Sequence, residues 1–207
     1  ARREKYLQWD ELLPHVSVPE LISSPVVLLE AFRTFLAGCS MFGFDVEWGD
    51  DNAGAALLQL ASSNNGVLLI DIPALSQTSE GAEALEKTVG NLFSSRDATI
   101  AGFCCRQDLS QLRSCPCARD KHWFAVTCSI VDLQKTVAKT IGADFGLSRC
   151  CEHYLGKPLD KSEQYSLWTK RPLSESQRVY ASLDAYACVL LYHKHVDATR
   201  SKQPTAS

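Results

Sequence analysis

Residues 41–48 read MFGFDVEW, and their period is two: Phe42, Phe44, Val46 and Trp48 are the large apolar positions, with Asp45 and Glu47 set among them. That repeat belongs to a β-strand, which sends both carboxylates to one face and the large apolar side chains to the other. Two acids on one strand face repel each other and gain nothing from packing. Two readings are open at this point: a divalent cation between the carboxylates, or a half-exposed strand whose acidic face is solvated.

Upstream, Ser24-Pro25 opens VVLLEAFRTFLAG, where Leu28, Leu29, Phe32, Phe35 and Leu36 recur at helical spacing and stop at Gly38. Downstream, residues 49–54 form an acidic turn, and AALLQLA (55–61) and GVLLIDI (66–72) are two further strands joined by a turn at 62–66. Three successive strands with short turns make an antiparallel meander. A helix at about 80–93, a strand at 98–103 (ATIAGF), a short helix from Arg106, a cysteine-bearing loop at 114–122 and a strand at 124–133 follow. Helices near 134–141, 147–155 and 174–196 complete the pattern. Strands alternating with helices predict parallel additions to the meander, hence an α/β protein with a mixed sheet. Residues 1–25, which hold Pro14, Pro19 and Pro25, are expected to be an N-terminal extension, and the polar residues 198–207 a disordered tail.

At 207 residues and 45% hydrophobic content, the chain suits one domain with one substantial core. A net charge of -3 leaves no overall basic footprint, so contact with nucleic acid requires a local patch. Residues 157–178 offer one, with Lys157, Lys161, Lys170, Arg171 and Arg178 against Asp160, Glu163 and Glu175; a solvated mixed-charge surface is the alternative. No apolar run approaches the roughly 20 residues that span a bilayer, and the first residues lack the apolar stretch of a signal peptide, so no membrane partner is expected. Nine cysteines, odd in number and including the neighbours Cys104-Cys105 and Cys150-Cys151, point to an intracellular reducing compartment, cytoplasm or nucleus. Cys115, Cys117, His122 and Cys128 match none of the common zinc spacings, and the bland reading of small buried thiols is preferred to a zinc site.

Two further acids stand out. Asp108, in IAGFCCRQDLSQL, falls in the first turn of a helix directly after a strand, where a helix cap or a dipole effect explains it as well as a site does. Asp184, in QRVYASLDAYACVLLY, lies beside the core-facing stripe Val179, Leu183, Ala187 and Leu190, with Tyr180 one turn before it. An acid so placed costs several kcal/mol unless a metal, a hydrogen bond or an arginine compensates it.

FDVEW, GFCCRQDLSQL and YASLDAY, in that order, resemble the three motifs of the DEDD (DnaQ-like) 3'-5' exonucleases. Tyr180, four residues before Asp184, matches the tyrosine-type subgroup of the RNase D and Werner exonuclease domains. VDLQ (131–134), GLSRCCEHYLGKPLDKSEQYSLW (146–168) and RPLSESQRVYASLDAY (171–186) resemble the same family's later segments, so the likeness covers about 26–195. Within the family the chain is most similar to the Nibbler branch of RNA-trimming exonucleases. None of the four acids is missing.

The resemblance implies an RNase H-like fold, with a five-stranded mixed sheet flanked by helices on both sides, over an exonuclease domain at 26–197. It implies two divalent cations, Mg²⁺ or Mn²⁺, held by Asp45, Glu47, Asp108 and Asp184, with Tyr180 orienting the attacking water. Trp48, Phe103, Lys170 and Arg171 are the candidate substrate contacts, core packing being the alternative for the two aromatic residues. The expected activity is 3'-5' hydrolysis of single-stranded RNA to nucleoside 5'-monophosphates. A Werner-type DNA exonuclease, or a binding module that keeps the fold without catalysis, is the alternative.

Overall fold

The alternation at 41–48 is realised as one of two central strands in a six-stranded mixed sheet. The computed structural model describes residues 2–49, 54–119, 128–138 and 145–200. The strands are β1 (Leu21–Ile22), β2 (Met41–Trp48), β3 (Ala55–Ser62), β4 (Gly66–Ile70), β5 (Thr99–Gly102) and β6 (Ser129–Asp132), in spatial order β1-β4-β3-β2-β5-β6. The meander is present, β2 and β4 each pairing antiparallel with β3. The later strands join in parallel, β5 on β2 and β6 on β5. The expected sheet had five strands. The sixth is β1, two residues that pair in parallel with β4. Its brevity hides it, because two residues carry no readable period.

The even-numbered side chains of β2 give one core layer. Phe42, Phe44 and Val46 are buried with Leu28, Phe32 and Phe35 of the helix Pro25–Leu36 and with Phe93. The opposite face packs on a long helix, Glu175–Arg200, whose residues Ala181, Ala185, Cys188 and Val189 are fully buried. Gly43 permits the contact: a Cβ there would lie 2.2 Å from the Ala185 carbonyl oxygen and 2.9 Å from Val189 Cγ2. Leu7 and Trp9, from the segment expected as an extension, are buried in this second layer.

Several boundaries differ from the sequence reading. The strand expected at 66–72 ends at Ile70, because Asp71 accepts a hydrogen bond from the Ala74 amide and caps a short helix, Ile72–Ser76. The helix expected at 80–93 is Ser79–Leu85, a π-turn at Glu86–Gly90 and Asn91–Ser94. Residues 50–53 of the acidic turn, 124–127 of the strand before β6, 139–141 of the following helix, His122 and 201–207 lie outside the described residues.

Candidate active site

The odd-numbered residues of β2 set two carboxylates against the long helix. Asp45 and Glu47 are half-buried, and Asp184 on the helix is 8% exposed. One carboxylate oxygen from each lies within 4.8 Å of the other two. Among the described residues this is the one group of acids, histidines or cysteines so placed; Cys115, Cys117 and Cys128 do not form such a group. The ladder slips between Glu47 and Trp48, a bulge that breaks the strand's alternation at the edge of the cluster.

Asp108 comes from the sheet's other side. It occupies the first turn of the helix Arg106–Ser114, after a tight turn in which Cys104 adopts φ +57°. A side chain in that left-handed region is strained, and Asp132 at the end of β6 holds the turn by accepting from the Cys104 amide at 3.1 Å. Asp108 is 5% exposed and is not the helix cap, a position held by Cys105. No arginine pairs with Asp184 among the described residues; Tyr180, one turn earlier, is the neighbour whose hydroxyl favours its charged form. Tyr180 in turn packs on Trp168, ring centroids 5.8 Å apart.

The electrostatics record unmet negative charge. Burial, then Asp184 and Asp108, raises Asp45 well above the ordinary carboxylate range. Burial, then Asp45, Asp184 and Asp108, pushes Glu47 up to about 10. Burial and Asp132 take Asp108 to about 7. Asp184 reaches about 6 through burial, opposed by the neighbouring Tyr180 hydroxyl and Lys161. Tyr180 is pushed up by burial and by Asp184, so its hydroxyl stays protonated. Carboxylate oxygens alone, converging and under mutual repulsion, are a donor set suited to a hard divalent cation such as Mg²⁺ or Mn²⁺.

All four acids and Tyr180 line one cleft of 660 Å³, together with Trp48 and Phe103. Lys170 and Arg171 do not line it. The Arg171 guanidinium is committed elsewhere: it donates to both Asp71 oxygens at 2.6 and 3.0 Å, to the Ala56 carbonyl at 2.9 Å and to the Trp168 carbonyl at 2.6 Å. It fastens the 157–178 segment to the sheet. Lys161 is the basic residue of that segment in the cleft, and its charge lowers Asp45, Glu47 and Asp184 alike. The sequence gives it no more prominence than its basic neighbours. Gln59 was not singled out either. It sits opposite Asp45 in the β2–β3 register, fully buried, with neither amide atom hydrogen-bonded among the described residues.

A family model described as 3'-5' exonuclease matches residues 22–196. The human exonuclease mut-7 homolog is 35% identical over 170 residues, covering 73% of this chain and 19% of that protein. Exonuclease mut-7 of Caenorhabditis elegans is 29% identical over 180 residues, covering 79% of this chain and 20% of that protein. The chain thus spans about a fifth of the length of these relatives. The crystal structure of the Aedes aegypti Nibbler EXO domain superposes with a TM-score of 0.69 at 26% identity, covering 88% of this chain and 89% of that one.

Proposed function

The chain belongs to the 3'-5' exonuclease family, and on that premise we propose that it removes nucleotides one at a time from the 3' end of single-stranded RNA, releasing nucleoside 5'-monophosphates. The observation that carries this reading is the convergence of Asp45, Glu47 and Asp184 within 4.8 Å at the base of an open cleft. The resemblance of the chain's motifs to the Nibbler branch of RNA-trimming exonucleases supports RNA over DNA as the substrate. The domain carrying the activity is proposed to span 26–197. Nine free cysteines support a reducing, intracellular setting.

Each residue has a defined task in this scheme. Asp45, Glu47, Asp184 and Asp108 would hold two divalent cations, with Asp45 common to both sites. Bound there, such ions supply a nucleophile at neutral pH and neutralise charge on the attacking and leaving oxygens. Tyr180, protonated and one helical turn from Asp184, would orient the attacking water through its hydroxyl; it is not a base. Lys161 faces the carboxylates and offsets the negative field that a phosphate must enter. Trp48 and Phe103 line the walls, where a terminal base can stack.

The test is a time course on 5'-labelled single-stranded RNA with Mn²⁺, Mg²⁺ or EDTA, beside the same sequence as DNA and beside Asp45→Ala. A metal-dependent ladder shortening from the 3' end, absent in the variant, is expected, with RNA cut faster than DNA. Faster cutting of DNA would assign the enzyme to the Werner type. No ladder on either strand, from folded protein with metal, would leave a binding module.

A further inference from the structure

Tyr165 and Leu167 are 92% and 70% exposed, the two most exposed large apolar side chains among the described residues. Both line the cleft that holds the carboxylates, whereas the other exposed apolar residues, such as Val26 and Val27 on the helix Pro25–Leu36, do not. Resting on the nuclease reading above, we propose that Tyr165 and Leu167 form a stacking platform for an unpaired base of the substrate strand, upstream of the nucleotide being removed.

The backbone enforces this display. Residues 161–170 form successive tight turns, with the Ser166 amide donating to Glu163 at 2.9 Å and the Trp168 amide to Ser166 at 2.9 Å. Ser166, between the two apolar residues, is turned toward the protein: its hydroxyl donates to Glu163 at 2.8 Å and accepts from Gln177 Nε2 at 2.9 Å. Trp168 is also turned inward, 2% exposed against Tyr180. With 166 and 168 fixed inward, 165 and 167 face out. Arg171 locks the end of the segment through its bonds to the Trp168 carbonyl and to Asp71. The backbone beneath the platform is therefore hydrogen-bonded before any strand arrives, and little backbone entropy remains to be lost on binding.

The choice of occupant follows from position and charge. Anything resting on Tyr165 shares the cleft with the strand end that reaches Asp45 and Asp184. Exposed Lys161 and Lys170 flank the pair in sequence and offer charge to the phosphates on either side of a stacked base. An aromatic ring beside an aliphatic side chain accepts the π-face of any base, which suits an enzyme that must advance along the strand regardless of sequence.

Steady-state trimming by the whole chain with Mn²⁺ tests this, using an RNA of ordinary sequence and versions lacking one base at the second, third or fourth position from the 3' end. Removing the stacked base should raise the wild-type KM about tenfold. Tyr165→Ala should raise KM on the ordinary strand by a similar factor and be indifferent to loss of that base, while Tyr165→Trp restores both the affinity and the sensitivity. Leu167→Ala should act in the same direction with a smaller effect. Losses from Tyr165→Ala and from base removal that multiply at every position would overturn the platform. So would a KM that ignores Tyr165, the result expected if the pair instead faced a protein partner. A wild-type protein that trims no strand overturns the nuclease reading along with it.

Discussion

A tyrosine hydroxyl one helical turn from an aspartate, whose ionisation burial has pushed upward, stays protonated at every working pH. Tyr180→Phe removes the donor and keeps the ring on Trp168. It should lower kcat by about 10²-fold, the scale for one lost hydrogen-bond donor at a reacting group, while Mn²⁺ still raises the melting temperature. Asp184→Asn removes a proposed ligand instead, so turnover should fall at least ~10³-fold and the Mn²⁺ shift should vanish. Melting curves with and without metal, read beside rates, separate the two roles; a Tyr180→Phe protein that no longer responds to Mn²⁺ would move the tyrosine among the groups that organise the metal site. Strand period placed Asp45 and Glu47 on one face and helix period set Tyr180 one turn before Asp184, while the grouping of Asp108 and Asp184 with them was legible only through the resemblance to the family's three motifs. Gln59 was not, because its place opposite Asp45 depends on a register set between two strands. Arg171 misled for a related reason: a basic residue near a nucleic-acid site looks like a phosphate contact until Asp71, a hundred positions away, is seen beside it.

At the level of elements, the site depends on how closely the long helix approaches β2. A methyl group at Gly43 would have to occupy the space of the Ala185 carbonyl, in backbone that cannot swing aside. Gly43→Ala should therefore cost about 2–4 kcal/mol in urea unfolding, the scale of overpacking aggravated by backbone displacement. Because Asp184 adjoins the contact, it should also weaken the response to Mn²⁺. Gly81→Ala is the control. Its Cβ would meet the Leu75 carbonyl at 2.0 Å, in elements that contribute nothing to the cleft, so it should destabilise comparably and leave the Mn²⁺ response of the folded protein intact. Equal metal responses in the two variants would show that helix approach does not govern the site. The mixed topology and the principal helices were legible from period and order. The π-turn at Glu86–Gly90 was not, since one extra residue per turn leaves an apolar pattern still reading as one helix.

For the molecule as a whole, the acidic cluster makes stability depend on pH in a direction opposite to that of ordinary salt-bridged carboxylates. Asp184 at about 6, Asp108 at about 7 and Glu47 at about 10 all titrate above the roughly 4 of an unfolded carboxyl. Between those limits the folded chain holds protons that the unfolded chain has released, so unfolding releases protons and is favoured as pH rises. The stabilising protonated forms are fully present below about pH 4 and are lost as pH climbs through each folded value. In EDTA the melting temperature should fall from pH 5 to pH 8, and Asp184→Asn, with one repulsive charge removed, should fall less and melt higher at pH 8. A divalent cation performs the task of the missing protons, and it binds the deprotonated cluster best. Mn²⁺ at a hundred times its Kd at pH 8 adds about 2.7 kcal/mol, or about 5–10 °C for a chain of this size, and the same concentration should add less at pH 5. Calorimetry of both proteins at the two pH values, with EDTA and with Mn²⁺, checks each part. Wild-type and Asp184→Asn curves that run parallel in EDTA, with a Mn²⁺ increment independent of pH, would mean that the carboxylates are not in competition for protons and cations, and the metal-site reading would fail with them.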